Sequence, residues 1–263
     1  MKHTLSSKPD GASVNRRKRT DPAVWLFLIL ITFTAAAAIC PVSVWSLLWQ
    51  AVKARLFLSG MLLLFCLTAL SLIWKKFQRI DERIFELFNF QGQRPRWLDR
   101  LMLAFTQLGN GLFAAAAALL FYLLGRRLLG YELILGNLAL WLVVELIKMA
   151  VDRSRPYQTI QKIRIVGVRE KGASFPSGHT SQAFFMAALL SHYFNLGTGQ
   201  VRLLYLVALC VGMTRMYVGM HYPRDVIGGA ILGTCWGLLG ITVNQYILSQ
   251  PFSALWKIFG QGL

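Results

Sequence analysis

The stretch "ASFPSGHTSQAFF", residues 173–185, places a serine, a glycine and a histidine directly before an apolar run. Serine is a favoured residue at the start of a helix, so Pro176, Ser177 and Gly178 predict that a helix begins here. The first turn of a helix carries backbone N–H groups without intrahelical partners, which together with the helix dipole attract anions. The stretch therefore predicts either an ordinary helix cap beside a histidine or one part of an anion-binding site.

The chain that surrounds this stretch is more apolar than a soluble domain. Of its 263 residues, 56% are hydrophobic and 15% are charged, whereas soluble domains carry about 25% charged residues. A membrane-spanning helix needs about 20 apolar residues, and the longest segments without Lys, Arg, Asp or Glu are near or above that length. These segments are 22–52, 56–74, 101–125, 180–201 and 226–256, with weaker apolar ones at 131–149 and 203–218. The sequence predicts an all-α, polytopic membrane helix bundle of about seven spans.

The polar segments between these apolar runs predict how the chain is organised. Residues 1–21 are basic and polar, which indicates a disordered tail, and residues 22–55 form an N-terminal hydrophobic segment. In residues 75–92 apolar side chains recur at helical spacing among charged ones, which predicts an amphipathic helix in the membrane interface. The core runs over residues 56–247, and residues 248–263 form a C-terminal tail.

Three polar clusters lie at the edges of apolar segments. They read "KMAVDRSRP" over residues 148–156, "PSGH" over residues 176–179 and "TRMYVGMHYPRD" over residues 214–225. Charged residues at the ends of membrane spans are common. The combination of cations with two histidines, a serine and a carboxylate is more specific, and it points to phosphate chemistry.

The residue types in these clusters suit the transfer of a phosphoryl group. Such a group spreads negative charge over three oxygens, so catalysis depends mainly on positioning and electrostatic stabilisation. Lys148, Arg155 and Arg215 can neutralise that charge. Of the two histidines, one can attack phosphorus while the other protonates the departing oxygen and later activates water. Asp225 lies four residues after His221 and can accept a hydrogen bond from its other ring nitrogen.

In order and spacing, the clusters resemble the motifs K-x6-R-P, P-S-G-H and S-R-x5-H-x3-D of the type 2 phosphatidic acid phosphatase superfamily, which includes membrane lipid-phosphate phosphatases. The resemblance covers residues 75–247, and Thr214 stands where the family usually has serine. It implies a six-helix phosphatase core that works through a phosphohistidine. By this resemblance His221 is the nucleophile, Asp225 orients it, and His179 is the general acid and base. The residues that it implies for binding the phosphate are Lys148, Arg155, Ser177, Gly178 and Arg215.

Each of these residues taken alone also has a structural interpretation. Lys148 can extend to the membrane surface or pair with Glu145. Arg153 and Arg224 are expected to be solvated or structural. We expect no metal and no other cofactor, because Mg²⁺-dependent phosphatases need clustered carboxylates and the site offers only Asp225.

The complete constellation makes an enzyme our main hypothesis. It is an integral-membrane phosphatase that hydrolyses a lipid phosphate or an isoprenyl diphosphate, and the candidates are phosphatidic acid, phosphatidylglycerol phosphate and undecaprenyl diphosphate. Two alternatives remain open, a lipid phosphotransferase that uses the same phosphohistidine and a non-catalytic lipid binder or transporter. Because the basic excess of +17 lies in short loops between apolar segments, we expect the bilayer and a membrane lipid as partners, and no nucleic acid.

The orientation in the membrane depends on how residues 22–52 cross it. Seven spans would place the basic tail, residues 75–100 and all three clusters on one face. The tail contributes six Lys and Arg and residues 75–100 contribute seven, against six on the other face, so the positive-inside rule would make the site cytoplasmic. The family resemblance implies the exocytoplasmic face, and a re-entrant segment 22–52 would reconcile the two. We expect a multi-pass protein of the plasma (inner) membrane with an exocytoplasmic site.

Overall fold

The computed structural model describes residues 31, 55–89, 92 and 94–249, and every regular element in these ranges is an α-helix. This confirms the all-α prediction for the described part of the chain. The predicted tail 1–21, residues 22–54 apart from residue 31, and residues 250–263 lie outside it. The helices are α1 (Leu56–Ser71), α2 (Lys75–Asn89), α3 (Arg96–Gln107), α4 (Gly111–Leu123), α5 (Arg127–Val151), α6 (Pro156–Thr159), α7 (Gly178–Tyr193), α8 (Thr198–Tyr217) and α9 (Pro223–Ser249).

The helices divide the apolar segments differently from the predicted spans. By length and composition, two stretches could each cross a membrane alone, Arg127–Thr159 and Pro223–Gln245. Two bent pairs pass the same test together, α1 with α2 at 97° and α3 with α4 at 56°. The described residues therefore contain two to four candidate spans, fewer than the roughly seven that hydropathy predicts for the whole chain.

The break inside the predicted span 101–125 has a local cause. The preceding helix α3 ends at Gln107, and the side-chain oxygen of Asn110 accepts a hydrogen bond from the backbone N–H of Leu112 at 3.0 Å. Asparagine is a favoured N-cap because it satisfies one of the free N–H groups of the first turn. The polar side chain thus starts a new helix inside a segment that composition alone marks as continuous.

The amphipathic helix predicted for residues 75–92 is present as α2, Lys75–Asn89. Its apolar side chains Phe77, Ile80 and Leu87 remain 44%, 44% and 67% exposed, whereas Asp81 is buried against the rest of the chain. The position of α2 in the membrane interface stays a prediction, which its exposed apolar side chains favour. The helix differs from a soluble amphipathic helix in that a carboxylate faces the protein core.

Small residues bring α7 and α9 into backbone contact. A Cβ atom on Gly229 would lie 2.6 Å from the carbonyl oxygen of Ser177, and one on Gly233 would lie 2.1 Å from that of Ser181. Glycine permits this approach because no side chain intervenes, as in other closely packed membrane helices. The contact fixes the position of the start of α7 relative to the start of α9. Two of the three polar clusters lie at these two helix starts.

We expect Gly233→Ala to lower the thermal unfolding midpoint by several degrees, because overpacking a close contact costs about 1–3 kcal/mol. Gly240→Ala is the matched control on the same helix, since a Cβ there has nothing within 4 Å. Thermal unfolding in detergent measures both. Equal midpoints for the two variants would contradict the close contact between α7 and α9.

Candidate active site

The three polar clusters meet where helices α5, α7, α8 and α9 end or begin. The backbone joins two of them directly, because the N–H of Ser177 at the start of α7 donates to the carbonyl oxygen of Asp225 at 3.0 Å. Within the third cluster, the N–H of His221 donates to the carbonyl oxygen of Arg215 at 3.3 Å. Residues that are up to 77 positions apart in the sequence therefore share one site, built from helix ends.

His221 is held in one orientation at the centre of this site. Its ring is buried, with 1% of the side chain exposed, and its Nδ1 lies 2.8 Å from the carbonyl oxygen of Ser174. Because a carbonyl only accepts hydrogen bonds, Nδ1 carries the proton and Nε2 keeps its lone pair. Nε2 lies 3.4 Å from Nη1 of Arg155 and 3.7 Å from Oε2 of Glu170, so the basic nitrogen faces the cationic part of the site.

Asp225 reaches His221 through another residue. Its Oδ2 is 3.8 Å from Nδ1 of His221, which is too long for a hydrogen bond. The same oxygen accepts from Oγ of Ser174 at 2.5 Å and from the N–H of Tyr222 at 2.8 Å, and Oδ1 accepts from Arg153 at 2.6 Å. The sequence suggested a direct contact, but Ser174 lies between, and its carbonyl takes the ring proton instead.

Two buried guanidinium groups line the site beside the histidines. Arg155 is 1% exposed and Arg215 is 3% exposed. Nη1 of Arg215 donates to Oγ1 of Thr106 at 2.8 Å, which fixes the side chain from the α3 side. Within the described ranges, no group of three or more His, Cys, Asp or Glu side chains is arranged to hold a metal ion.

A carboxylate from the loop before α7 fills the space between these groups. Glu170 accepts from Nη1 of Arg155 at 3.0 Å and forms an ion pair with Arg215. Its oxygens lie 3.7 Å from Nδ1 of His179 and 3.7 Å from Nε2 of His221. Burial opposes its ionisation, but the adjacent charge of Arg215 outweighs burial and holds the pKa of Glu170 well below its usual range. The position of the Glu170 carboxylate therefore indicates where this site can bind an anion.

Sequence reasoning missed Glu170, although one signal was present. It is the only Asp or Glu between Asp152 and Asp225, in a part of the chain rich in Lys and Arg. A lone carboxylate among so many cations has many partners within reach, which makes it a candidate for the centre of a cationic site. The loop's sequence by itself does not say which of those cations it meets.

The remaining predicted phosphate ligands have structural partners as well. Nζ of Lys148 lies 2.7 Å from Oε1 of Glu145, as the alternative interpretation expected, although its charge still acts on His179. The buried hydroxyl of Ser177 caps α7 by accepting from the N–H of Thr180 at 3.4 Å and from its hydroxyl at 2.9 Å. Gly178 is the first residue of α7. The opening stretch is therefore a helix cap, and that capped end points to the site where Glu170 binds.

Arg153 and Arg224 are buried and connect the site to the interfacial helix. Nη2 of Arg153 lies 2.5 Å from Oδ2 of Asp81, while its Nη1 binds Asp225. Nε of Arg224 also binds Asp81, at 2.7 Å. The ring of Tyr222 supports Arg153 from one face, at 4.4 Å from the guanidinium carbon. The sequence predicted solvated or structural arginines, and the structural role is confirmed while solvation is not.

The sequence around this site is similar to that of a known protein family and of curated proteins. The sequence model of the PAP2 superfamily matches residues 128–248, which contain all three clusters. This match supports the family resemblance that the spacing of the clusters indicated. Over 106 residues it is 37% identical to a lipid A 1-phosphatase of Rhizobium johnstonii, across 37% of this chain and 41% of the relative. Over 174 residues it is 26% identical to an undecaprenyl-diphosphatase of Sulfolobus acidocaldarius, across 62% of this chain and 77% of the relative.

Among solved structures, this chain is similar to LpxE of Aquifex aeolicus. The TM-score is 0.54 and the identity 29%, across 61% of this chain and 93% of that one. Together with the apolar helices, this similarity identifies an integral membrane protein with the helical fold that the sequence predicted. The chain spans 37% of the length of one curated relative, to which it is 38% identical. It spans 41% of the length of a second, to which it is 37% identical.

We expect Ser174→Ala to lower kcat by at least about tenfold, because a hydrogen bond to a charged group contributes about 1.5–3 kcal/mol. The variant removes the hydroxyl that binds Asp225 but keeps the carbonyl that binds His221. Ser191→Ala is the control at the other end of α7, where the hydroxyl binds only the carbonyl of Ala187. Steady-state phosphate release measures both, and an unchanged kcat in Ser174→Ala would exclude Ser174 as the link to Asp225.

Proposed function

We propose that this protein is a membrane phosphatase that removes a terminal phosphate from a lipid phosphate or an isoprenyl diphosphate. The observation that carries the proposal is the convergence of Arg155, Arg215, His179 and His221 on one carboxylate, at 3.7 Å or less. An anion held there touches both cations and both imidazoles at once. These are the groups that phosphoryl transfer through a histidine requires.

In the first step, the lone pair of Nε2 of His221 attacks phosphorus. The N–P bond forms while the P–O bond to the lipid breaks, and protonated His179 gives its proton to the departing oxygen. The proton on Nδ1 of His221 remains hydrogen-bonded to the carbonyl oxygen of Ser174. This hydrogen bond stabilises the positive charge that the ring acquires. Arg155 and Arg215 stabilise the charge on the three phosphoryl oxygens.

In the second step, water attacks the phosphohistidine. Neutral His179 takes a proton from the water as the new P–O bond forms and the N–P bond breaks. The electron pair of the broken bond returns to Nε2 of His221, and inorganic phosphate leaves. Asp225 is then a positioning residue, which acts on His221 through Ser174 and is itself held by Arg153.

The membrane setting supports a lipid as the carrier of the phosphate. The site lies at helix ends, beside an interfacial helix whose apolar side chains are exposed. A headgroup can therefore enter at the interface while its tail stays among the helices. The names of the two curated relatives, a lipid A 1-phosphatase and an undecaprenyl-diphosphatase, both describe phosphate removal from a membrane lipid. Phosphatidic acid, phosphatidylglycerol phosphate and undecaprenyl diphosphate remain the candidate substrates.

We expect the purified protein in detergent to release phosphate from at least one of these three lipids, and His221→Ala to lower the rate at least about 10³-fold. His192→Ala, an exposed histidine in the last turn of α7, is the matched control. Activity should survive EDTA, and vanadate should inhibit it.

Three results would contradict this proposal in different ways. Equal rates for the wild type and His221→Ala would remove the phosphohistidine. Loss of activity with EDTA that Mg²⁺ restores would remove the metal-independent mechanism. A phosphorylated lipid acceptor in place of inorganic phosphate would make the protein a phosphotransferase.

We further propose that the site faces the exocytoplasmic side of the plasma (inner) membrane. Val168 lies in the loop that carries Glu170 and is 87% exposed. In right-side-out vesicles, we expect an impermeant maleimide to label Val168→Cys more strongly than the parent protein, which measures the background from native cysteines. Labelling of Val168→Cys only after permeabilisation would place the site in the cytoplasm.

A further inference from the structure

Glu170 occupies the position in which the proposed function requires phosphate. Its two oxygens contact Arg155 and Arg215 and lie 3.7 Å from His179 and 3.7 Å from His221. A phosphoryl group cannot reach Nε2 of His221 while this carboxylate is there, because both would occupy the same space. Every substrate must therefore displace Glu170 before the reaction begins.

The loop backbone around Glu170 is anchored, and the side chain is the part that can leave. Nε of Arg155 donates to the carbonyl of Gly172 at 3.0 Å, and the hydroxyl of Tyr157 donates to the carbonyl of Glu170 at 2.7 Å. The Glu170 side chain nevertheless keeps 31% of its surface exposed. Rotation about its side-chain bonds can carry the carboxylate into the solvent while the loop stays in place.

Displacement of a tethered carboxylate depends on the charge of the incoming ligand. A group attached to the site competes at a high effective concentration, of the order of millimolar or above. A phosphodiester headgroup carries one negative charge, as Glu170 does, so it gains no electrostatic advantage in the exchange. A terminal phosphate carries about 1.5 to 2 negative charges at neutral pH, and two buried guanidinium groups attract it more strongly.

We infer that Glu170 excludes phosphodiester headgroups from the catalytic site and so selects lipids that end in a terminal phosphate. This inference rests on the proposed function, because it assigns Glu170 a role in choosing the substrate of that reaction. Phosphodiester lipids are abundant in a bilayer, and the proposed function requires the site to meet lipid headgroups. Specificity against such a competitor requires an element that opposes it as well as contacts that favour the substrate.

The test compares the wild type with Glu170→Gln, which keeps the shape of the side chain and removes its charge. With phosphatidic acid in mixed micelles, we expect KM to fall at least about tenfold while kcat changes less than about threefold. Phosphatidylglycerol, a phosphodiester, should inhibit Glu170→Gln at least about tenfold more strongly than the wild type. Glu86→Gln, an exposed acidic residue on α2, is the matched control for the change in net charge and should behave as the wild type does.

Two kinetic results would overturn the inference. The first is an unchanged KM with no gain in inhibition by phosphatidylglycerol, which would mean that Glu170 does not compete. The second is a loss of kcat at constant KM, which would make Glu170 part of the reaction itself.

A binding measurement separates this inference from the proposed function and from a loss of stability. Glu170→Gln leaves Arg155 and Arg215 without their anion, so its own unfolding midpoint is expected to fall. Inorganic phosphate should then raise the midpoint of Glu170→Gln by more than it raises that of the wild type. This comparison needs no turnover. If the wild type hydrolysed none of the lipids, the proposed function would fail. A larger phosphate-induced rise in the unfolding midpoint of Glu170→Gln would still support competition between Glu170 and phosphate. An equal rise in the two proteins would overturn that competition.

Discussion

Charge compensation of buried arginines is the constraint on which this site depends. A buried guanidinium without an anionic partner is strongly destabilising, because the loss of water must be offset by charge and hydrogen bonds. Arg153 satisfies this requirement with Asp81 and Asp225, and Arg215 does so with Glu170. Neither Asp81 nor Glu170 belongs to the three polar clusters, yet each forms ion pairs with arginines that do.

The pairing of Asp81 joins α2 to the polar clusters. Helix α2 exposes Phe77, Ile80 and Leu87 and buries Asp81, so its exposed side is apolar while its buried carboxylate binds Arg153 and Arg224. Asp225, which binds Arg153, in turn holds Ser174. A displacement of α2 would therefore reach His221 through a continuous chain of hydrogen bonds. This chain gives α2 a structural role in the site.

The contact between α7 and α9 supplies the second constraint. His179 and His221 belong to segments that lie close together, and Gly229 and Gly233 let the backbones of α7 and α9 touch. The hydrogen bond from the backbone N–H of Ser177 to the carbonyl oxygen of Asp225 holds the starts of the two helices in this relative position. In the proposed mechanism, the general acid and the nucleophile approach one phosphoryl group from different sides. Their relative position is thus a consequence of helix packing as well as of the motifs themselves.

The sequence by itself determined the features that depend on neighbouring residues. Helical class and membrane location follow from long apolar runs, and the start of α7 follows from Ser177. The resemblance to a phosphatase family follows from the spacing within the three clusters. Each of these is a local property, since periodicity, capping and motif spacing act over a few residues along the chain.

The tertiary structure decided the partners of those residues. Arg153 and Asp225 are 72 residues apart, and Ser174 reaches His221 across 47 residues. No periodic pattern connects such pairs, which is why the sequence suggested a direct bond between Asp225 and His221 and left Glu170 unnoticed. Which acceptor takes the ring proton of His221 depends on a difference in distance of about 1 Å, since Nδ1 lies 2.8 Å from the carbonyl oxygen of Ser174 and 3.8 Å from Oδ2 of Asp225. Those distances are set by the packing of helix ends from separate parts of the chain.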